Sequence, residues 1–148
     1  MAYVKDSIFI QAPPEKVHAF AIDPRNWCRW FVGLAQIESQ QGDGSPGTTV
    51  SHTYLMAGAH FPLTTRVIED RAEPDGSFHW KAENEGALAG RLSWDYLPKD
   101  DGTQVEIHME YTIPGDFPGE LASRLFIERN QERAAHLTLQ NLKHLIEE

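Results

Sequence analysis

Seven histidines, one cysteine and 22 aspartates and glutamates against 13 lysines and arginines are the material for chemistry in this chain. Metal binding needs ligand spacing. The sequence holds no His-Glu-x-x-His, no His-x-His and no Cys/His pair at finger spacing, so no metal is expected. His52, His79 and His108 fall in predicted strands, the last two on the outer face, and a surface or hydrogen-bonded role is expected for each. Gly44-Ser45-Pro46-Gly47 resembles part of a nucleophile elbow, but Asp43 stands where that motif needs its first glycine, and the stretch reads as a turn. No glycine-rich loop precedes a helix, so the usual phosphate cradle is missing and no cofactor is expected. The acid–base candidates are Glu128 and Glu132, one helical turn apart, with Arg124 a turn earlier. Cys28 has no partner for an internal disulfide and reads as a buried or half-buried apolar filler in a reducing compartment.

These side chains must be placed by the elements that carry them. From Gly119 to Glu148 the chain reads as one long helix, with Ala135, Leu139, Leu142 and Ile146 on one stripe at about 100° per residue. Extended backwards, the stripe brings Leu121, Arg124, Glu128, Gln131 and Glu132 to the same side. Either these polar groups meet a ligand or a counter-charge, or the helix overhangs its support and leaves them solvated. The support is β-like. Tyr3 to Gln11 alternates as a strand, and Ala12-Pro13-Pro14 stops it and opens a short helix carrying Val17, Phe20 and Ala21. Asp23-Pro24 caps a second short helix dominated by Trp27, Trp30 and Phe31.

After Gly33 six further strands are predicted: Leu34 to Gln41, Thr48 to Ala57, Pro62 to Ala72, Phe78 to Glu83, Leu88 to Leu97 and Gln104 to Ile113. Turn-rich runs such as Glu73-Pro74-Asp75-Gly76 separate them, as in a meander of hairpins. Alternation puts Trp80, Trp94, Tyr96, Met109 and Tyr111 inward and His79, Asp95, His108 and Glu110 outward. A lone long helix needs a partner for its apolar stripe, and a bent antiparallel sheet is the partner on offer. A sheet wrapped round one helix leaves room for a cavity of a few hundred Å3 between them.

Length and charge exclude several functions. The 148 residues fit one domain spanning 1–148 with a core of its own. A net charge of −9 disfavours nucleic acid, because no basic excess exists to release counterions. No apolar run approaches the ~20 residues of a membrane span, so no integral membrane segment is expected. Without an apolar signal region at Met1 to Ser7, the expected location is the cytoplasm.

The order of elements resembles the helix-grip arrangement of the START/SRPBCC superfamily. Ile8-Phe9-Ile10-Gln11-Ala12-Pro13-Pro14-Glu15-Lys16-Val17 followed by Phe20, Asp23-Pro24 and Trp30 is similar to its opening, and Gly102-Thr103-Gln104-Val105 to the entry of its last hairpin. Pro114-Gly115 and the ending Asn141-Leu142-Lys143-His144-Leu145-Ile146-Glu147 resemble the polyketide cyclase/dehydrase-like branch. The resemblance covers essentially the whole chain. It implies an α+β fold: a curved antiparallel six- to seven-stranded sheet round a long C-terminal helix, with two short helices after the first strand. It also implies a hydrophobic cavity under that helix, and no catalytic set of the cyclases maps onto these residues.

Three readings follow. In the first the protein binds a small hydrophobic molecule, whether aromatic, polyketide-like or lipid-like. Its walls would be Trp80, Trp94, Tyr54, Tyr96, Met109 and Tyr111, with Trp30 near the mouth and Arg124, Glu128 and Glu132 at the polar end. In the second the same cavity is that of a cyclase or dehydratase, using Glu128 or Glu132 against Arg124. In the third the Trp27/Trp30/Phe31 cluster docks a partner or a second copy, giving a homodimer.

Overall fold

The computed structural model describes residues 2–56, 58–113 and 124–148. Strand β1 (Ala2–Ile10) leads into helices α1 (Pro14–Ile22) and α2 (Pro24–Trp30). Six strands follow: β2 (Leu34–Gln41), β3 (Thr49–Met56), β4 (Ala59–Ala72), β5 (Phe78–Gly86), β6 (Gly90–Lys99) and β7 (Gly102–Tyr111). Helix α3 (Arg124–Glu147) ends the chain. The predicted start of that helix at Gly119, and Leu121 of its stripe, lie outside the described residues.

Local chemistry sets the breaks. Pro14 and Pro24 stand at the first turns of α1 and α2, where a missing N–H costs nothing. Asp23 caps α2, its Oδ1 accepting from Arg25 N at 3.0 Å. Helix α2 buries Pro24, Trp27 and Trp30 along one side. Cys28 therefore faces away and is exposed, against the expectation of a buried filler. Gly44 adopts φ +106°, and a Cβ there would lie 1.9 Å from Ile22 O, so only glycine fits the approach of this turn to α1.

The seven strands form one antiparallel sheet in the order β1-β7-β6-β5-β4-β3-β2. Strands β2 to β7 are a meander, and β1 returns beside β7 with Ala2 opposite Tyr111 and Ile10 opposite Thr103. Helix α3 lies chiefly on β1, then on α2, and lightly on β3. Two clusters of buried side chains fill the concave side. One joins Trp27, Trp30, Trp94 and Tyr96 to Leu139, Leu142 and Ile146, and the other joins Val4, Tyr54 and Met56 to Ile127 and Ala135. This is the expected helix-grip architecture.

Three details differ from the sequence expectation. The β3–β4 hairpin is tighter, with Met56 opposite Ala59, so β4 begins three residues earlier than predicted. Plain alternation is broken by bulges in β2 and in β4 between Val67 and Glu69, while β6 keeps continuous register with both neighbours. The extra residue in β4 turns Ile68 outward, 43 % exposed. Third, the buried stripe of α3 runs Ile127, Gln131, Ala135, Thr138 and Leu139, Leu142, Ile146. Its C-terminal half has the predicted phase. In its N-terminal half Ile127 takes the inward place, and Glu128 and Glu132 sit about 100° round the helix from Ile127 and Gln131.

Candidate functional site

Between the sheet, α2 and the N-terminal half of α3 lies a cavity of about 60 Å3. That is smaller than the few hundred Å3 expected, because large rings occupy the space. Trp30 meets Trp94 edge-on at 5.4 Å between ring centroids, and Trp94 stacks on Tyr96 at 6.4 Å. Strands β5, β6 and β7 supply Trp80, Trp94, Tyr96, Met109 and Tyr111 to the wall, and Tyr54 comes from β3. Trp30 and Phe31 close the α2 side. Arg91 and Glu110 also contribute, although alternation puts Glu110 outside.

Seven of the ten residues singled out from sequence thus border one cavity. Arg124, Glu128 and Glu132 do not. Arg124 Nε and Glu128 Oε1 pair with each other at 2.8 Å on the partly solvated flank of the helix, and Glu132 is exposed. The polar residue that α3 presents to the cavity is Gln131, whose Nε2 donates to Tyr54 Oη at 3.1 Å inside the wall. The aromatic docking surface is not formed by the two tryptophans either. Trp27 and Trp30 are 5 % and 3 % exposed, since α2 is pressed onto the core rather than standing off it.

Most polar atoms in the wall are bonded. Trp80 Nε1 donates to Gly44 O at 2.9 Å and Trp27 Nε1 to Ala21 O at 3.0 Å. The Thr65 hydroxyl donates to Asn84 Oδ1 at 2.7 Å, and His52 Nε2 lies 2.9 Å from the same Thr65 oxygen. Three buried atoms of lining residues have no hydrogen-bond partner among the described residues: Trp30 Nε1, His52 Nδ1 and Tyr111 Oη. Leaving such a group unsatisfied costs about 1–3 kcal/mol each.

Burial also sets the protonation states. It pushes the His52 imidazole down to about 4, so the ring is neutral at pH 7. The Tyr111 phenol is pushed up to about 12, first by burial and then by the nearby charge of Glu128, with smaller effects of Tyr54 and Glu132. The two carboxylates therefore act on the cavity as a field, from outside its wall. Burial, and then the charges of Asp70 and Asp95, raise the phenol of Tyr96 as well.

From sequence His52 is expected to have a surface or hydrogen-bonded role, not a place in the cavity wall; it is hydrogen-bonded, and it lines the cavity. The available signal was alternation in β3, which puts it on the same face as Val50 and Tyr54. For metal ligands, the described residues offer Asp95, Glu106 and His108, with donor atoms within 4.8 Å of one another on the convex face. Spacing rules along one segment cannot see this group, because it joins β6 to β7. Asp95 is already bonded by His79 Nδ1 at 2.6 Å.

Fold and cavity together define a helix-grip domain with an aromatic-walled cavity beneath its last helix. The chain belongs to the polyketide cyclase/dehydrase and lipid transport family, whose model matches residues 1–147. Its fold is shared by a STAR-related lipid transfer protein from Xanthomonas axonopodis, with TM-score 0.76 and 14% identity over 97% of this chain and 85% of that one. The Zhui aromatase/cyclase from Streptomyces sp. R1128 gives TM-score 0.74 and 16% identity over 98% and 93% of the two chains. A START superfamily protein from Mycobacterium smegmatis gives 0.73 and 14% over 99% and 98%. At such identities the likeness is one of fold. No curated protein matches the sequence. Among the described residues no helix is long and apolar enough to cross a membrane.

Proposed function

We propose that the protein binds a small, compact, largely apolar molecule with a ring system in the cavity beneath α3. The observation that carries this reading is the set of three unpartnered polar atoms, Trp30 Nε1, His52 Nδ1 and Tyr111 Oη, in a wall otherwise made of aromatic rings. A core built only for stability would pair or omit such groups. A ligand site keeps a few of them to orient substituents, and rings to stack on the ligand body. Trp80, Trp94, Tyr96, Tyr54 and Met109 supply that body contact. The family description, which joins cyclases to lipid transport, supports an apolar ligand without choosing between binding and turnover. A ligand larger than about 60 Å3 would displace half-buried lining side chains, Phe31 and Met109 among them.

Titration with the apolar fluorophore N-phenyl-1-naphthylamine tests this. One equivalent should bind with enhanced emission, and Met109→Trp, which fills the space from β7, should remove binding while the protein stays folded. Unchanged binding in the filled variant would place the fluorophore elsewhere and refute the reading.

A further inference from the structure

The hydrogen bonds within the wall fix a proton. Thr65 has one hydroxyl hydrogen, and it is given to Asn84 Oδ1 at 2.7 Å. The Thr65 oxygen can then only accept from His52, whose Nε2 is 2.9 Å away, so Nε2 carries the imidazole hydrogen. The neutral ring has one such hydrogen, which leaves Nδ1 with a bare lone pair. That atom is buried and has no partner among the described residues. His52 itself is 5 % exposed and lines the cavity. Asn84, Thr65 and His52 stand on three neighbouring strands, β5, β4 and β3, with Thr65 opposite Asn84, so the sheet itself holds the chain of bonds in place.

We infer that His52 Nδ1 is the acceptor for a hydroxyl group of the ligand, and that the protein selects phenols or enols over ring systems that lack an O–H. This rests on the cavity being the ligand site. A neutral nitrogen acceptor in an apolar wall discriminates in one direction. It is satisfied by a donor, gains nothing from an ether or a halogen, and repels a carboxylate or phenolate. The other two unpartnered groups have different preferences: Trp30 Nε1 only donates, and the Tyr111 hydroxyl does either. His52 is thus the only one of the three that requires a hydrogen on the ligand. Burial keeps the ring uncharged through the neutral range, so the lone pair is present whenever the ligand arrives.

The test compares 2-naphthol with 2-fluoronaphthalene, equal in shape but only one a donor. Wild type should bind 2-naphthol about tenfold more tightly, the usual effect of one satisfied buried hydrogen bond. His52→Phe should bind the two alike. Nitrogen-15 NMR of the wild type gives a second readout that needs no variant. In the free protein the signal of an unprotonated nitrogen should belong to Nδ1 of His52. It should move upfield with 2-naphthol and stay with 2-fluoronaphthalene. Equal binding of the two probes by wild type, an undiminished preference in His52→Phe, or a proton found on Nδ1 would each overturn the assignment while leaving the cavity reading intact. Failure of both probes to bind would overturn the cavity reading and this inference with it.

Discussion

Replacing His52 with glutamine keeps a donor toward Thr65 Oγ1 and removes the imidazole of the cavity wall. The imidazole ionises near its ordinary 6.5 in the unfolded chain but only at about 4 in the fold. Between those values the unfolded state binds more protons, so stability rises with pH there and is lost as pH falls. The loss begins below 6.5 and is complete near 4. Integrated from pH 7, it amounts to about 2 kcal/mol at pH 5 and about 3 kcal/mol at pH 4. The carboxylates held low by their partners, Asp23 by Arg25 and Glu147 by the Gln11 backbone and Lys143, act in a lower window, below their ordinary 3.8 and 4.5. The contrast between variants at pH 5 therefore isolates His52. Thermal unfolding should show wild type losing about 4–8 °C more than His52→Gln between pH 7 and pH 5, at about 2–4 °C per kcal/mol for a chain of this size. Parallel pH profiles of the two proteins would show that the ring is solvated or charged in the fold, and would refute the argument from burial.

Leu142→Asp puts a carboxylate into the fully buried stripe of α3 and should cost several kcal/mol, read as a large fall in urea midpoint; an unchanged midpoint would mean that α3 presents another face. Glu128→Gln removes one half of a partly solvated pair with Arg124. It should change stability by less than about 1 kcal/mol and spare binding of N-phenyl-1-naphthylamine, whereas lost binding in a folded protein would show that the carboxylate holds the ligand.

The parts of this fold legible in the sequence are those where one signal dominates. The strands were bounded by Gly, Pro and Asp clusters, and alternation sorted Trp80, Trp94 and Tyr111 from His79, Asp95 and His108. The C-terminal half of α3 was legible because apolar residues there occupy a single stripe. Its N-terminal half was not. Arg124-Leu125-Phe126-Ile127 places three apolar side chains on three sides of the helix, and only packing decides that Ile127 is buried while Leu125 and Phe126 stay 56 % and 45 % exposed. The bulge at Ile68 carries no glycine or proline to announce it. His52 shares a face with Tyr54, yet its meaning depends on Thr65 and Asn84, which lie on other strands at no fixed spacing. Local pattern sets elements and faces; partners across a sheet have to be seen.

The place of β1 has a consequence for how the chain reaches this state. Strands β3 to β7 each pair with the strand made just before, so the meander can grow by short-range closures. Strand β1 is made before the other six and pairs with the last of them, because Ala2 waits for Tyr111, about a hundred residues later. Closing a loop of that size costs about 4 kcal/mol of chain entropy before any contact forms. Since α3 rests chiefly on β1, the long helix also has no seat until that strand is in place. During synthesis the apolar side chains of β1, Val4, Ile8 and Ile10, therefore stay uncovered until β7 has emerged. Folding should accordingly be slow for the size of the chain, with the docking of β1 and α3 as its late step.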